Sequence, residues 1–281
     1  MKLHLVPART GLEWVKLGVR AFRQQPMALA LLFFTAFLGM SLLAQVPFIG
    51  SALSLALLPA TSLAMMVAAA DAVAGRQPTP ALLLVAFRTG RQRMRDMLLL
   101  GAIYTVGFLS ILALTAAIDG GQFAQMYLGM IPFTEEMAQQ PAFQAAMWVA
   151  VLLYLPLSLM FWHAPGLVHW HGVPAVKALF FSIVACARNM GAFLVFGLAW
   201  MGVSIGVGLV VSIVAGLLAI AGLGVMAASG VMVGAAMVLA TMLMTSVVFT
   251  FRDCFDPPEH RRKEPSHDNA PQPPAAGADR D

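Results

Sequence analysis

Charge is scarce in this chain, and it is missing altogether from the long apolar runs. Of 281 residues, 60% are hydrophobic and 11% are Asp, Glu, Lys or Arg, against roughly 25% charged residues in an ordinary soluble domain. Mean hydropathy is +0.82. This composition excludes a soluble globular fold. The short motifs of common enzyme classes are also absent: there is no Gly-rich phosphate loop, nucleophile elbow, zincin helix or Cys-x-x-Cys pair. Neither enzymatic activity nor a cofactor is therefore expected. The net charge of +4 is carried by no Lys/Arg-rich soluble segment, which excludes nucleic acid as a partner. Cysteine occurs twice, as Cys186 and Cys254. Both fall on the reducing side of the topology derived below, so free thiols are expected. No apolar stretch follows Lys2 before charge returns at Arg9, so no cleaved signal peptide is expected.

What the chain has in abundance is uninterrupted apolar sequence. Six runs, at about 27–46, 51–70, 97–118, 144–162, 190–213 and 230–251, can each cross about 30 Å of hydrocarbon at about 1.5 Å per residue. Pro47-Phe48-Ile49-Gly50 separates the first pair, and Asp119-Gly120-Gly121 closes the third run. From Met190 to Phe251 there is no charged residue, a length that suits two spans joined near residues 219–229. The expected fold is an all-α polytopic membrane protein with six transmembrane helices. Residues 1–255 form its membrane domain. Residues 256–281, rich in Pro, Asp and Arg, are expected to be a disordered cytoplasmic tail, because they offer too little apolar surface to offset ordering entropy.

Orientation follows from the basic residues, which accumulate in short cytoplasmic loops. All 17 Lys and Arg lie before run one, between runs two and three, between four and five, or after run six. The loop at 119–143 carries Asp119, Glu135 and Glu136 and no basic residue. Both termini are therefore expected in the cytoplasm of a bacterium, with the chain in its inner membrane.

The segments leading into runs one, three and five read as amphipathic helices in the membrane surface. In the first, Thr10-Gly11-Leu12-Glu13 has the capping-box spacing. Leu12, Val15, Val19 and Phe22 form its apolar stripe, opposite Lys16, Arg20 and Arg23. In the second, Thr79-Pro80 resembles a helix start and Arg88, Arg91 and Arg95 align at i, i+3, i+7. The third opens at Val173-Pro174 and ends at Arg188-Asn189. These six basic side chains are expected to contact anionic lipid of the inner leaflet. The alternative is that the segments are connecting helices packed on their own bundle. The pattern of surface helix plus hairpin suggests a threefold repeat.

Within the runs, polarity is limited mostly to hydroxyls, Thr61, Tyr104, Thr115, Ser158, Ser204 and Thr245 among them. With no ionisable group at membrane depth, a proton-coupled carrier is disfavoured. Pro59 and Pro156 each leave a carbonyl unpaired and are expected to kink their helices. Gly202, Gly206, Gly208 and Gly216 in run five, and Gly230 and Gly234 in run six, read as close helix-packing positions or as a homo-oligomer contact. His163, His169 and His171 are metal-ligand candidates by spacing. No Asp, Glu or Cys stands beside them in sequence, and together with Trp170 they read more simply as interfacial anchors.

The opening Leu3-His4-Leu5-Val6-Pro7-Ala8-Arg9, the Pro47–Gly50 turn, Gly75-Arg76-Gln77-Pro78, the block from Phe161 to Val168, Lys177–Ser182, Arg188-Asn189 and Phe251-Arg252-Asp253 resemble a group of inner-membrane proteins found mainly in betaproteobacteria. The likeness spans about residues 1–255. More distantly, the chain is similar to the membrane domain that precedes the catalytic domain of some bacterial glycerophosphodiester phosphodiesterases. It has no soluble barrel domain, and Gly166 stands where that block is expected to carry a second proline. The resemblance therefore implies location and architecture and supplies no catalytic residue.

The function expected from these features is that of a non-enzymatic inner-membrane protein that organises or senses lipid, or supports a membrane-protein partner. A small-solute or lipid permease is the alternative, and a membrane-embedded enzyme the third. Reporter fusions test the topology. Fusions after Gly50 and within 123–143 should report the periplasm, and those at Gly75, Gly172 and after Phe255 the cytoplasm. A periplasmic signal from the last would remove one span.

Overall fold

A computed structural model describes residues 2–221 and 224–256, and the tail expected beyond Asp256 lies outside them. The described chain is helical throughout. In order it forms α1 (Thr10–Gln24), α2 (Pro26–Ala44), α3 (Gly50–Val73), a 3₁₀ turn (Pro80–Leu84), α4 (Val85–Arg88), α5 (Arg91–Asp119), α6 (Gln122–Tyr127), α7 (Glu135–Gln139), α8 (Pro141–Trp162), α9 (Ala164–His171), α10 (Ala175–Arg188), α11 (Met190–Ile220) and α12 (Gly224–Cys254). Six helices, α2, α3, α5, α8 continued by α9, α11 and α12, are long and apolar enough to span a membrane. The all-α, six-span architecture is therefore the observed one, and helices satisfy their own backbone groups where no water can.

The spans pair as three hairpins, α2/α3, α5/α8 and α11/α12. Each segment before a hairpin packs on the second helix of the preceding one: α1 on α12, the Pro80–Arg88 segment on α3, and α10 on α8. That is a cyclic, pseudo-threefold arrangement and gives the repeat a structural meaning. The three segments nevertheless differ. In the second, Gly90 at φ +103° interrupts the chain in a conformation costly for other residues. Arg88 therefore stands on α4 while Arg91 and Arg95 stand on α5, and no single helical stripe joins the three.

The first segment departs from expectation in register. α1 buries Gly11, Trp14, Val15, Gly18, Ala21 and Phe22, a stripe turned by one position from the one read in sequence, and Leu12 is 45% exposed. The turn comes from two glycines. A Cβ at Gly11 would collide with the Ala192 carbonyl, and one at Gly18 with Ser246, so this face alone lets the helix sink between α11 and α12. Trp14 between them is fully buried, edge-on to Phe196, and donates its Nε1–H to Asp253 Oδ2 at 2.9 Å. The expected capping box is also absent: Arg9 is the N-cap and no side chain caps the helix. The amides of Thr10, Gly11 and Leu12 bond instead to the carbonyls of Pro7, Ala8 and Arg9.

The first and last described residues meet at one end of the bundle. Leu3 pairs with Phe255, His4 N–H donates to Cys254 O at 3.0 Å, and His4 Nε2 lies 2.7 Å from Asp256 Oδ1. Asp256, expected to begin the tail, is thus held against Lys2 and His4. Asn189 ties the same region together, accepting from Val6 N–H at 2.9 Å and donating to His4 O at 3.1 Å.

The expected packing glycines are not where helices approach. Around Gly202, Gly206, Gly208, Gly216, Gly230 and Gly234, an added Cβ would meet nothing within 4 Å. α11 packs through a face that runs from Ala192 and Phe196 to Trp200 and Ala215, and the glycines lie off that face. Close approach occurs instead at Gly11, Gly18 and Gly101, the last against the Ala56 carbonyl. There Thr105 Oγ1 also donates to Ala52 O at 3.2 Å, joining α5 to α3 as small residues and hydroxyls do in hydrocarbon.

Gly18→Ala should therefore lower thermal stability measurably, with an overpacking cost of about 1–3 kcal/mol. Gly206→Ala should leave the unfolding transition of the detergent-purified protein unchanged or slightly raised. Equal effects at both positions would contradict this packing.

Candidate functional site

The threefold arrangement is incomplete in one place. α3 packs against α5, and α12 against α2, but α8 forms no comparable interface with α11. These two helices meet near the end that carries the termini, where Trp162 stands edge-on to Phe193 and Phe196 at 5.9 Å each. The three second helices should also meet at the centre. α3 and α12 do so, whereas α8 is displaced from both.

The displacement follows from local chemistry at the end of α8. Pro165 has no amide hydrogen, and the helix breaks at His163. The His163 N–H, which would have bonded to Leu159 O, donates instead to Ser182 Oγ at 2.9 Å, and that hydroxyl donates to Leu159 O at 2.7 Å. A hydroxyl from α10 is thus inserted into the broken ladder and supplies partners for both the His163 N–H and the Leu159 carbonyl.

The space left by α8 is a cleft of about 350 Å³, within the range of small-molecule sites (about 300–1,000 Å³). One wall is α8, with Tyr154, Ser158 and Trp162. The facing wall is α2 and α12, with Phe33, Phe37, Met40 and Met244, and the floor is α3 around Pro59 with Tyr104 of α5. α8 forms no extended interface with α2 or α12, reaching α12 where Trp162 Nε1–H donates to Thr250 Oγ1 at 3.1 Å, so the cleft is open sideways toward the bilayer. Pro59 lies within it, while Pro156 is exposed on the outer face of α8. Of the two expected kink sites, one belongs to the cleft.

Polar groups in the cleft are hydroxyls and the Trp162 indole N–H, which is engaged by Thr250 Oγ1 at 3.1 Å. Ser158 Oγ donates to Leu155 O at 2.7 Å, and Thr61 Oγ1 contacts Met40 Sδ at 3.7 Å. Tyr104 and Tyr154 share one long O–H···O contact of 3.5 Å, and Ser62 also faces the space. In the sequence these hydroxyls stand in separate apolar runs. Nothing in their spacing signals that three separate helices bring them together.

The expected site residues divide clearly. His163 is fully buried, with Nε2 3.1 Å from Thr250 Oγ1, Nδ1 3.8 Å from Cys186 Sγ, and its ring edge-on to Phe193 and Phe255. His169 and His171 are half-buried on α9, against Trp170 and Phe251 respectively. The three imidazoles do not converge, and among the described residues no three His, Cys, Asp or Glu form a metal-sized cluster. Cys186 and Cys254 are free and buried. Burial, with Cys254 nearby, pushes the Cys186 thiol up, which keeps it protonated and unreactive.

The basic residues form a rim around the end of the bundle that holds the termini. Lys16, Arg20, Arg23, Arg88, Arg91 and Arg95 are exposed. The ion pairs recorded among the described residues, Arg76–Asp71, Arg252–Asp253 and His4–Asp256, involve none of them. α10 adds an outward apolar face, with Val176 and Phe180 more than 60% exposed beside Lys177. That is the composition of a helix lying in an interface. α1, by contrast, turns its apolar face inward.

Comparison with known proteins agrees with this picture at the level of location. A probable inner membrane protein of Burkholderia thailandensis is 39% identical over 260 residues, covering 91% of this chain and 94% of its own length. The chain belongs to that family of multi-pass inner-membrane proteins. No family model matches it, and no solved structure matches it.

His163→Ala should be strongly destabilising, by about 2–4 kcal/mol, because it opens a cavity in a fully buried, ring-packed site. The double replacement of His169 and His171 with Ala should cost much less. Thermal unfolding followed by circular dichroism, with metal content measured in parallel, checks both. Loss of a stoichiometric metal in the double variant would reverse the reading of these residues as packing groups.

Proposed function

We propose that this inner-membrane protein is a non-enzymatic lipid receptor that senses or organises lipid of the inner leaflet. The observation that carries this reading is the pairing of a bilayer-facing cleft with a rim of basic side chains that form no ion pair among the described residues. Lys16, Arg20, Arg23, Arg91 and Arg95 stand where lipid phosphates would lie if the basic end faces the cytoplasm. Their number also supports that orientation, with both termini inside. Each basic residue near an anionic surface contributes on the order of 1 kcal/mol of attraction.

A second reading, a lipid permease, is favoured by one observation: the cleft extends into the membrane-spanning part of the bundle, and α8 is not packed against its far wall. A carrier of charged solutes is not supported, since no ionisable Asp, Glu, Lys, Arg or His lines the cleft. The likeness to the membrane domain of glycerophosphodiester phosphodiesterases fits a setting among phospholipids and implies no hydrolysis here.

Protein purified in a mild neutral detergent and reconstituted into mixed vesicles tests the proposal. Phosphatidylglycerol should copurify in preference to phosphatidylethanolamine. The preference should shrink as salt shortens the Debye length from about 10 Å at 0.1 M to about 3 Å at 1 M. It should be largely lost when Arg20, Arg23, Arg91 and Arg95 are replaced by Gln. Indifference to headgroup charge in the unaltered protein would overturn the proposal.

A further inference from the structure

The cleft has a chemistry more specific than that of an acyl-chain groove. Acyl chains present only methylene surface and gain nothing from hydrogen-bond donors. This space is bounded by Phe33, Phe37, Tyr104, Tyr154, Phe161 and Trp162, with Met40, Met65 and Met244 filling between them. Aromatic faces and polarisable thioethers favour a flat ring over a flexible chain.

The donors point the same way. A phenol carries one O–H, so in the Tyr104–Tyr154 contact at 3.5 Å only one of the two protons is used, and weakly. The other remains available in a low-dielectric space, where an unmet donor is costly. Thr61 and Ser158 are already directed to Met40 Sδ and Leu155 O, which leaves the tyrosine pair, with Ser62, as the donors for a ligand. They lie on α5, α8 and α3, around the point where α8 is displaced. The opening faces the bilayer, so the ligand arrives dissolved in lipid.

We infer that the cleft binds a lipid-soluble ring compound bearing carbonyl acceptors, of the quinone class. Its ring lies among the aromatic side chains, and one carbonyl accepts from the Tyr104–Tyr154 pair. The inference rests on the lipid-receptor reading and names the ligand of that same site.

The test uses full-length protein in phosphatidylcholine nanodiscs, titrated with a short-chain ubiquinone while tryptophan fluorescence is followed. Trp162 lines the cleft, so a saturable quenching component is expected that disappears in Trp162→Phe. Quinone-induced thermal stabilisation should persist in that variant. Tyr104→Phe with Tyr154→Phe should weaken binding about tenfold, the scale of one hydrogen bond. The apolar ring contacts should remain, with unfolding behaviour reported separately. Oleate and phosphatidylglycerol are run in parallel arms. Quenching that rises linearly and equally in all variants overturns the inference. Stabilisation by oleate or phosphatidylglycerol but not by the quinone overturns it too, while leaving the receptor reading in place. No response to any of the three overturns both.

Discussion

A hydroxyl inserted into a broken helix sets the geometry of this bundle. In hydrocarbon every backbone amide needs a partner inside the protein, so a chain can bend only where something replaces the lost ladder bond. Ser182 does this between Leu159 and His163. Its position on α10 fixes that helix to the joint, and the joint fixes α8. With α8 displaced from both, the centre of the bundle is where α3 meets α12, and the third place is a cleft.

The rest of the structure accommodates that asymmetry. α1 closes the side of α11 and α12 with a glycine-lined face around Trp14. The clasp of residues 2–6 with Asn189 and Cys254–Asp256 ties α1, α10 and α12 at one end. Packing is dense at that end, from Leu63 through Ala69 on α3, across Ala164–Val168 on α9 and Thr245–Thr250 on α12. It loosens along α11 and the first half of α12, where most of the described side chains are exposed. A tight end carrying the basic rim and a looser end within the bilayer suit a protein that holds its lipid contacts fixed while leaving lateral access.

The polar groups that matter are modest ones. No ion pair crosses the membrane-spanning core among the described residues, and the buried histidine is engaged by Thr250 and surrounded by aromatic rings. Hydroxyls do three separate tasks here: Thr105 joins α5 to α3, Ser182 completes the α8 joint, and the Tyr104–Tyr154 pair faces the cleft. Residues of one chemical kind have these different roles because each meets a different set of acceptors.

The sequence by itself determined the six spans, the helical class and the segregation of basic residues, because hydrophobic length and Lys/Arg position are local properties that the bilayer reads directly. Its breaks at Pro47–Gly50 and Asp119–Gly121 were legible for the same reason. What only the tertiary structure decided is which face of each helix is used. The α1 stripe differs by one position because Gly11 and Gly18 act through Ala192 and Ser246, far away in sequence. The six glycines of α11 and α12 looked like contact residues but have no helix opposite them, since small size permits close approach without supplying a partner. Arg88 is separated from Arg91 and Arg95 by the backbone of one glycine at φ +103°. The cleft was invisible beforehand because it arises from a missing α8 interface, and no residue in a linear chain marks a contact that is not made.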